Sequence, residues 1–161
     1  MKFKLTILTL TFFTFFINAQ EINIGSNIGL PIGKISNAYS SNLGLDASIL
    51  WDFDKETQVG VSTGLNYLFG RSLEVGGQKL KTEGILYIPF AATLDYHLYD
   101  QFFTGADIGV GLMLRKYDSF KFYFQPKFGL IVSDELKAFS YIRFLDGGTL
   151  IGLGFSYNIL K

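Results

Sequence analysis

Four charged residues sit at strand-like positions with apolar neighbours on both sides: Asp46, Asp107, Lys127 and Arg143. Carboxylates and cations enclosed together must pair or be hydrogen-bonded, and a file of such groups could also carry a proton. The only histidine, His97, falls in an expected turn, and no Ser stands beside a His at the outer rim, where a Ser-His-acid hydrolase would need the pair. Cysteine is absent, which excludes disulfides, thiolate metal sites, thiol catalysis and Cys-anchored lipidation together. One histidine without cysteine is a poor metal donor set. The glycine-rich runs are strand interiors and do not open helices as phosphate-binding loops do. The residues therefore point to no catalytic, cofactor-binding or metal-ligating constellation, and the expected protein is not an enzyme and needs no cofactor. The charges read as a network within a polar plug.

The elements that must hold these charges follow from periodicity. After Gln20 the apolar residues recur every second position in segments of about ten residues, separated by Gly, Asp, Asn and Lys clusters, the pattern of strands. Eight such segments are expected, and each has two unlike faces. One is bulky and uncharged: Leu43, Leu45, Ala47 and Ile49 in the second, Leu86, Ile88, Phe90 and Ala92 in the fourth, Ile151, Leu153 and Phe155 in the last. The other is small and polar, and it carries eleven of the 18 glycines. A soluble barrel fills its centre with large apolar side chains and dresses its exterior with charge. Here the glycine face is too small for a solvated exterior, so the arrangement is inverted, with the bulky rows against lipid and the small polar rows inside a closed barrel. The expected fold is all-β, an eight-stranded antiparallel up-and-down transmembrane β-barrel.

Composition agrees. Charged residues are 17% of the 161 and apolar residues 48%, too apolar for a disordered chain. Without Lys2 and Lys4, the 14 basic residues fall to 12 against 14 acidic ones, a net of −2 that argues against a nucleic-acid partner. Lys2 and Lys4 precede thirteen uncharged residues, Leu5 to Ile17, and then Asn18-Ala19-Gln20. That is a signal-peptide pattern, too short to span a bilayer as a helix. Residues 1–19 are expected to be a cleaved signal peptide and residues 20–161 the barrel.

Tight connections follow the second, fourth and sixth segments (Asp54 to Thr57, His97 to Asp100, Val132 to Glu135), while Ile32 to Asn42 and Gly70 to Gly84 are long. Short turns are periplasmic in such barrels and long loops face outward. The expected aromatic girdles are Trp51, Phe53, Tyr96 and Tyr157 at the periplasmic interface and Tyr67, Phe69, Phe120 and Phe144 at the outer one. Pro89 and Pro126 fall within strands, where each removes a ladder donor, so a bulge or irregularity is expected at both.

With the alternation in Ser26 to Gly33, Leu86-Tyr87-Ile88-Pro89-Phe90, Gly105 to Gly111 and the last strand, Gly152-Leu153-Gly154-Phe155-Ser156-Tyr157, the chain resembles the small eight-stranded outer-membrane β-barrels of Gram-negative bacteria, OmpA-type and OmpX-type barrels among them. The resemblance implies residence in the outer membrane, with its lipids as partners, and insertion by the barrel-assembly machinery, which reads the last strand. That strand departs from the usual signal by ending in Asn158-Ile159-Leu160-Lys161 instead of an aromatic.

Function is then expected where other molecules can touch. The first expectation is a role in envelope structure or surface interaction through the outer loops, with Arg71, Glu74, Lys79 and Lys81 as candidates. A variant of it is an accessory subunit of a larger outer-membrane complex, for which the Phe120, Phe122, Phe124, Phe128 row is a candidate wall. A different class is a small ligand-binding or transport barrel for an apolar molecule, which requires an open upper lumen beside Leu68, Tyr87, Met113 and Tyr141. Arginine at Leu153 or Ile108 should cost about 2 to 4 kcal/mol at mid-membrane depth, and alanine at Gly109 much less.

Overall fold

Alternation of β-branched, aromatic and small residues produces strands throughout the computed structural model, which describes residues 21–75, 78–114, 119–145 and 147–160. The signal-peptide expectation for residues 1–19 lies outside the described residues. The elements are β1 (Glu21–Ile32), a 3-10 turn (Gly33–Asn37), β2 (Tyr39–Asp52), β3 (Thr57–Gly70), β4 (Ser72–Val75), β5 (Gln78–Lys81), β6 (Ile85–Tyr99), β7 (Phe102–Leu114), β8 (Ser119–Ile131), β9 (Leu136–Leu145) and β10 (Gly148–Asn158). Eight of the strands close into one antiparallel barrel in the order β1-β10-β9-β8-β7-β6-β3-β2. The seam is the β1–β10 ladder, with Ile24 opposite Tyr157 and Ile28 opposite Leu153. Closure pairs each barrel strand on both sides, which removes the open edges that hydrocarbon cannot hydrate. The remaining two strands, β4 and β5, form a separate hairpin within the long connection between β3 and β6. Sequence periodicity does not separate this hairpin from its loop.

The faces are oriented as the alternation requires. Ile28, Leu45 and Leu153 are 62%, 62% and 60% exposed, whereas Asn27, Asn66 and Arg143 are 1%, 0% and 0% exposed. A belt of outward Leu, Ile, Val and Phe of this extent is stable against acyl chains and a liability in water. The glycines on the inner face make room for what crosses the lumen. A Cβ on Gly152 would run into the Ile28 carbonyl oxygen and the Tyr141 ring, and one on Gly44 into the side-chain amides of Asn66 and Asn27. At Gly109 the nearest obstacles are all backbone: an added Cβ would strike the carbonyl of Phe90 and come within 2.7 Å of the Ala91 Cα. The ease expected of Gly109→Ala therefore fails, since backbone cannot swing aside as a side chain can.

Both prolines interrupt a ladder without shifting it. On β6, partners of β3 are recorded on either side of Pro89 (Thr63 with Phe90, Asn66 with Tyr87) and the intervening positions are unpaired. On β8, Phe124 pairs with Phe144 and Lys127 with Tyr141, leaving a gap around Pro126. The register sum is the same on both sides of each gap, so neither proline adds a residue: the irregularity is present and the bulge is not. The Thr63 hydroxyl donates to the Pro89 carbonyl at 2.9 Å, supplying a donor near the gap. One end carries the connections 53–56, 100–101 and 132–135, so His97, expected in a turn, belongs to β6 opposite Phe103; at the other end four residues separate β7 from β8 and two separate β9 from β10, so its length lies in the β1–β2 and β3–β6 connections. In the first of these turns the Asp54 carboxylate accepts the Glu56 and Thr57 N–H groups, each at 2.8 Å, and the Glu56 bond leads in holding its carboxyl below the usual carboxylate range.

Leu153→Arg and Ile108→Arg are each expected to lower unfolding free energy by about 2 to 4 kcal/mol in bilayers. Gly109→Ala is expected to lose about 1 to 3 kcal/mol through overpacking against backbone. Urea titration of bilayer-inserted protein measures all three.

Candidate functional site

Because a barrel of this size has side chains for a core, its interior is the first place to look for chemistry. Three layers fill it. Near the short-turn end, the Lys137 ammonium lies 2.9 Å from Glu21 Oε2 and donates to Gln58 Oε1 at 3.2 Å. Above this, Lys127 on β8 lies between two carboxylates, 2.9 Å from Asp95 on β6 and 3.2 Å from Asp107 on β7. The Thr93 hydroxyl and Gln125 Nε2 also donate to Asp107, at 2.9 and 3.0 Å. Asp107 and Lys127, two of the four charges singled out in the sequence, are thus in direct contact.

The other two are not. The Arg143 guanidinium donates through Nε to Gln125 Oε1 and through Nη1 to Asn66 Oδ1, at 2.7 Å for the latter, and to the Tyr87 hydroxyl. Asn66 Nδ2 in turn donates to Asp46 Oδ1 at 3.3 Å, so an amide relays between the two charges. Asp46 also accepts from Asn27, which itself accepts from Asn42 and from the Tyr141 hydroxyl. The Arg143 guanidinium carbon lies 4.6, 5.6 and 5.8 Å from the ring centres of Tyr141, Tyr123 and Tyr87. Ring faces and neutral amides spread the cation over many weak acceptors, a desolvated cation–π site. Gln125 joins the layers, because its carbonyl accepts from Arg143 and its amide donates to Asp107.

Charge alone locates the ends of this network and misses its middle. Asn27, Asn42, Asn66, Gln125 and the three tyrosines do the linking, and each is fully or almost fully buried. The signal is in the sequence: amides and phenols on the same two-residue period as the inner glycines, where a soluble exterior would carry lysine and glutamate. Around the middle layer a cavity of about 50 Å³ remains, lined by Asp46, Ser48, Ser62, Asp95, Lys127 and Ser156 among others, enough for a few waters.

The long-loop end of the lumen is apolar and shut. Tyr39, Leu68, Ile85, Met113, Leu145 and Leu150 are all buried there, with Ile35 and Ala38 packed against them. Leu68, Tyr87, Met113 and Tyr141, the residues that an open upper lumen would offer to an apolar ligand, are 9% exposed or less.

On the outer wall the aromatic candidates lie near strand ends. Trp51, Phe53, Tyr96 and Tyr157 surround the short-turn end, where the Tyr96 hydroxyl donates to Glu56 at 2.7 Å and the Tyr157 hydroxyl to Glu135 at 2.8 Å. Tyr67 and Phe69 meet edge to face at 4.9 Å near the opposite end, and Phe144 stacks on Phe124 at 6.0 Å with Phe120 on the adjoining strand. Of the loop candidates, Arg71 donates through Nη1 to the Ser36 carbonyl at 2.8 Å. Glu74 and Lys79 oppose each other in the β4–β5 register and Lys81 opposes Ser72, while the side chains of residues 73–81 lie outside the described residues.

No family model matches the sequence, and no curated protein matches it. Solved structures do. The outer membrane protein Ail of Yersinia pestis in a phospholipid bilayer nanodisc superposes with a TM-score of 0.60 at 13% identity, covering 86% of this chain and 99% of that one. A de novo designed transmembrane β-barrel gives 0.58 at 8% identity, over 88% and 97% of the two chains. Neisserial surface protein A gives 0.52 at 9% identity, over 86% and 96%. The fold is that of the small eight-stranded outer-membrane β-barrels.

Replacing Lys127 by Met is expected to cost about 3 to 5 kcal/mol, since it leaves Asp95 and Asp107 buried without their cation. Unfolding in urea with and without the further changes Asp95→Asn and Asp107→Asn checks the cause: the triple variant should recover much of the loss.

Proposed function

We propose that this protein is a non-enzymatic integral outer-membrane barrel, exported on a signal peptide cleaved near residue 19. It acts in envelope structure or surface contact through its long-loop end, with Arg71, Glu74, Lys79 and Lys81 in the contact region and the barrel-assembly machinery inserting it. The observation that carries this reading is the filled lumen. Its buried charged side chains are engaged by other side chains, with Arg143 Nη2 the guanidinium nitrogen left without a partner, and apolar side chains close the mouth to a solute. What remains accessible is the wall and the loops, and loops on a rigid barrel are suited to recognition. Two solved barrels of like fold are described as an attachment invasion locus protein and a surface protein, which agrees with a surface role at the level of fold. Service as an accessory subunit of a larger outer-membrane complex is a variant of the same reading, with the Phe120, Phe122, Phe124, Phe128 row as the contact wall. The apolar-ligand barrel finds no support in a closed upper lumen.

Reconstituted into planar bilayers, the protein is expected to give no discrete conductance steps, and a steady ohmic pore would contradict a filled lumen. Mild detergent extraction from native membranes separates the two variants: a barrel running alone is free-standing, and one that carries a stoichiometric partner is a subunit.

A further inference from the structure

We propose that the 3-10 turn between β1 and β2 is a hinged lid over the outer mouth, seated by Ile35 and latched by Arg71. Ile35 turns from the β1–β2 connection onto the start of the neighbouring strand β10, and it packs against the apolar cluster at the mouth. A Cβ added to Gly148 would collide with the end of the Ile35 side chain and lie 3.1 Å from its Cβ, so residue 148 is a seat that glycine keeps open. Beneath the seat is the apolar cluster that closes the lumen.

The segment has a break in regular backbone on either side. Gly33 takes φ +68, a left-handed conformation that favours glycine. At the other end the β2–β3 register shifts between Tyr39 and Ser41, the local irregularity by which a strand bends. Between these breaks few bonds hold the turn down. The Ala38 N–H donates to the Ile35 carbonyl at 3.0 Å and the Ser36 hydroxyl to the Gly33 carbonyl at 2.7 Å, both internal to the segment. Beyond the Ser40 hydroxyl, which donates to the Phe69 carbonyl at 3.3 Å, two bonds from Arg71 tie the described segment to the barrel wall: its N–H donates to the Ala38 carbonyl and its Nη1 to the Ser36 carbonyl, each at 2.8 Å. The side-chain bond is charge-assisted, spans the gap between two connections and can be removed without touching the lumen. Arg71 thus has a role inside the protein, apart from any external partner, and the inference does not depend on the surface reading above.

Because the chain has no cysteine, a single introduced thiol reports on the lid. Ile35→Cys and, separately, the exposed neighbour Asn37→Cys are labelled in bilayers with a membrane-impermeant maleimide, each with Arg71 intact and with Arg71→Ala. The thiol at position 35 is expected to react at least tenfold more slowly than the one at position 37 while Arg71 is present. Arg71→Ala is expected to speed labelling at position 35 by about tenfold, the factor for one charge-assisted hydrogen bond, and to leave labelling at position 37 unchanged. The double variant Ile35→Cys, Gly148→Cys, whose Cβ atoms would stand 3.1 Å apart, just under disulfide spacing, should form a disulfide with dissolved oxygen as the oxidant and leave no thiol to label with or without Arg71→Ala. Equal rates at the two positions with Arg71 present would show that Ile35 is not seated, and a rate at position 35 indifferent to Arg71→Ala would show that Arg71 is no latch. Either result overturns the proposal.

Discussion

An eight-stranded barrel leaves inside it the width of its own side chains and little more. Whatever faces inward must therefore fit against its neighbours, and whatever is polar there must find its partner across the same small space. The other features follow from that restriction. Gly44 is glycine because Asn66 and Asn27 occupy the volume its Cβ would need, and Gly152 because the Ile28 carbonyl and the Tyr141 ring do. Arg143 can be buried because amides and phenols from four strands converge on it: Gln125 and Tyr123 from β8, Asn66 from β3, Tyr87 from β6, and the Tyr141 of its own β9.

The same restriction separates the two halves of the lumen. Toward the short turns, charged residues neutralise one another around a cavity large enough for a few waters. Toward the long loops, apolar side chains close the mouth. The described interior is thus occupied by the barrel's own side chains apart from that cavity.

Much of this is legible in the chain because period-two alternation determines both strand identity and facing, and the glycine asymmetry between faces says which side is crowded. Alternation turns Ile28, Leu45 and Leu153 outward, and they are outward. Pairings across the lumen are less legible. Asp107 and Lys127 share neighbouring strands, so counting along each strand brings them together. Asp46 and Arg143 sit on β2 and β9, which are not adjacent, and sequence offers no ruler across the barrel; Asn66 fills the distance between them. Gly109 misleads for a related reason, since a residue letter shows the absence of a side chain and not how close the next backbone comes. The β4–β5 hairpin and the Ile35 seat lie in connections, where no repeat pattern announces what packs on what.

The central claim is that the bulky rows face acyl chains and the glycine rows face the axis, and the lack of native cysteine makes it directly measurable. Nitroxide labels placed one at a time from residue 150 to residue 157 of β10 in bilayers report their surroundings by collision with oxygen, which concentrates in lipid. The account predicts a two-residue oscillation with oxygen maxima at 151, 153, 155 and 157 and minima at 150, 152, 154 and 156. An oscillation of the opposite phase, or high access for a water-soluble relaxant at 151, 153 and 155, would contradict it.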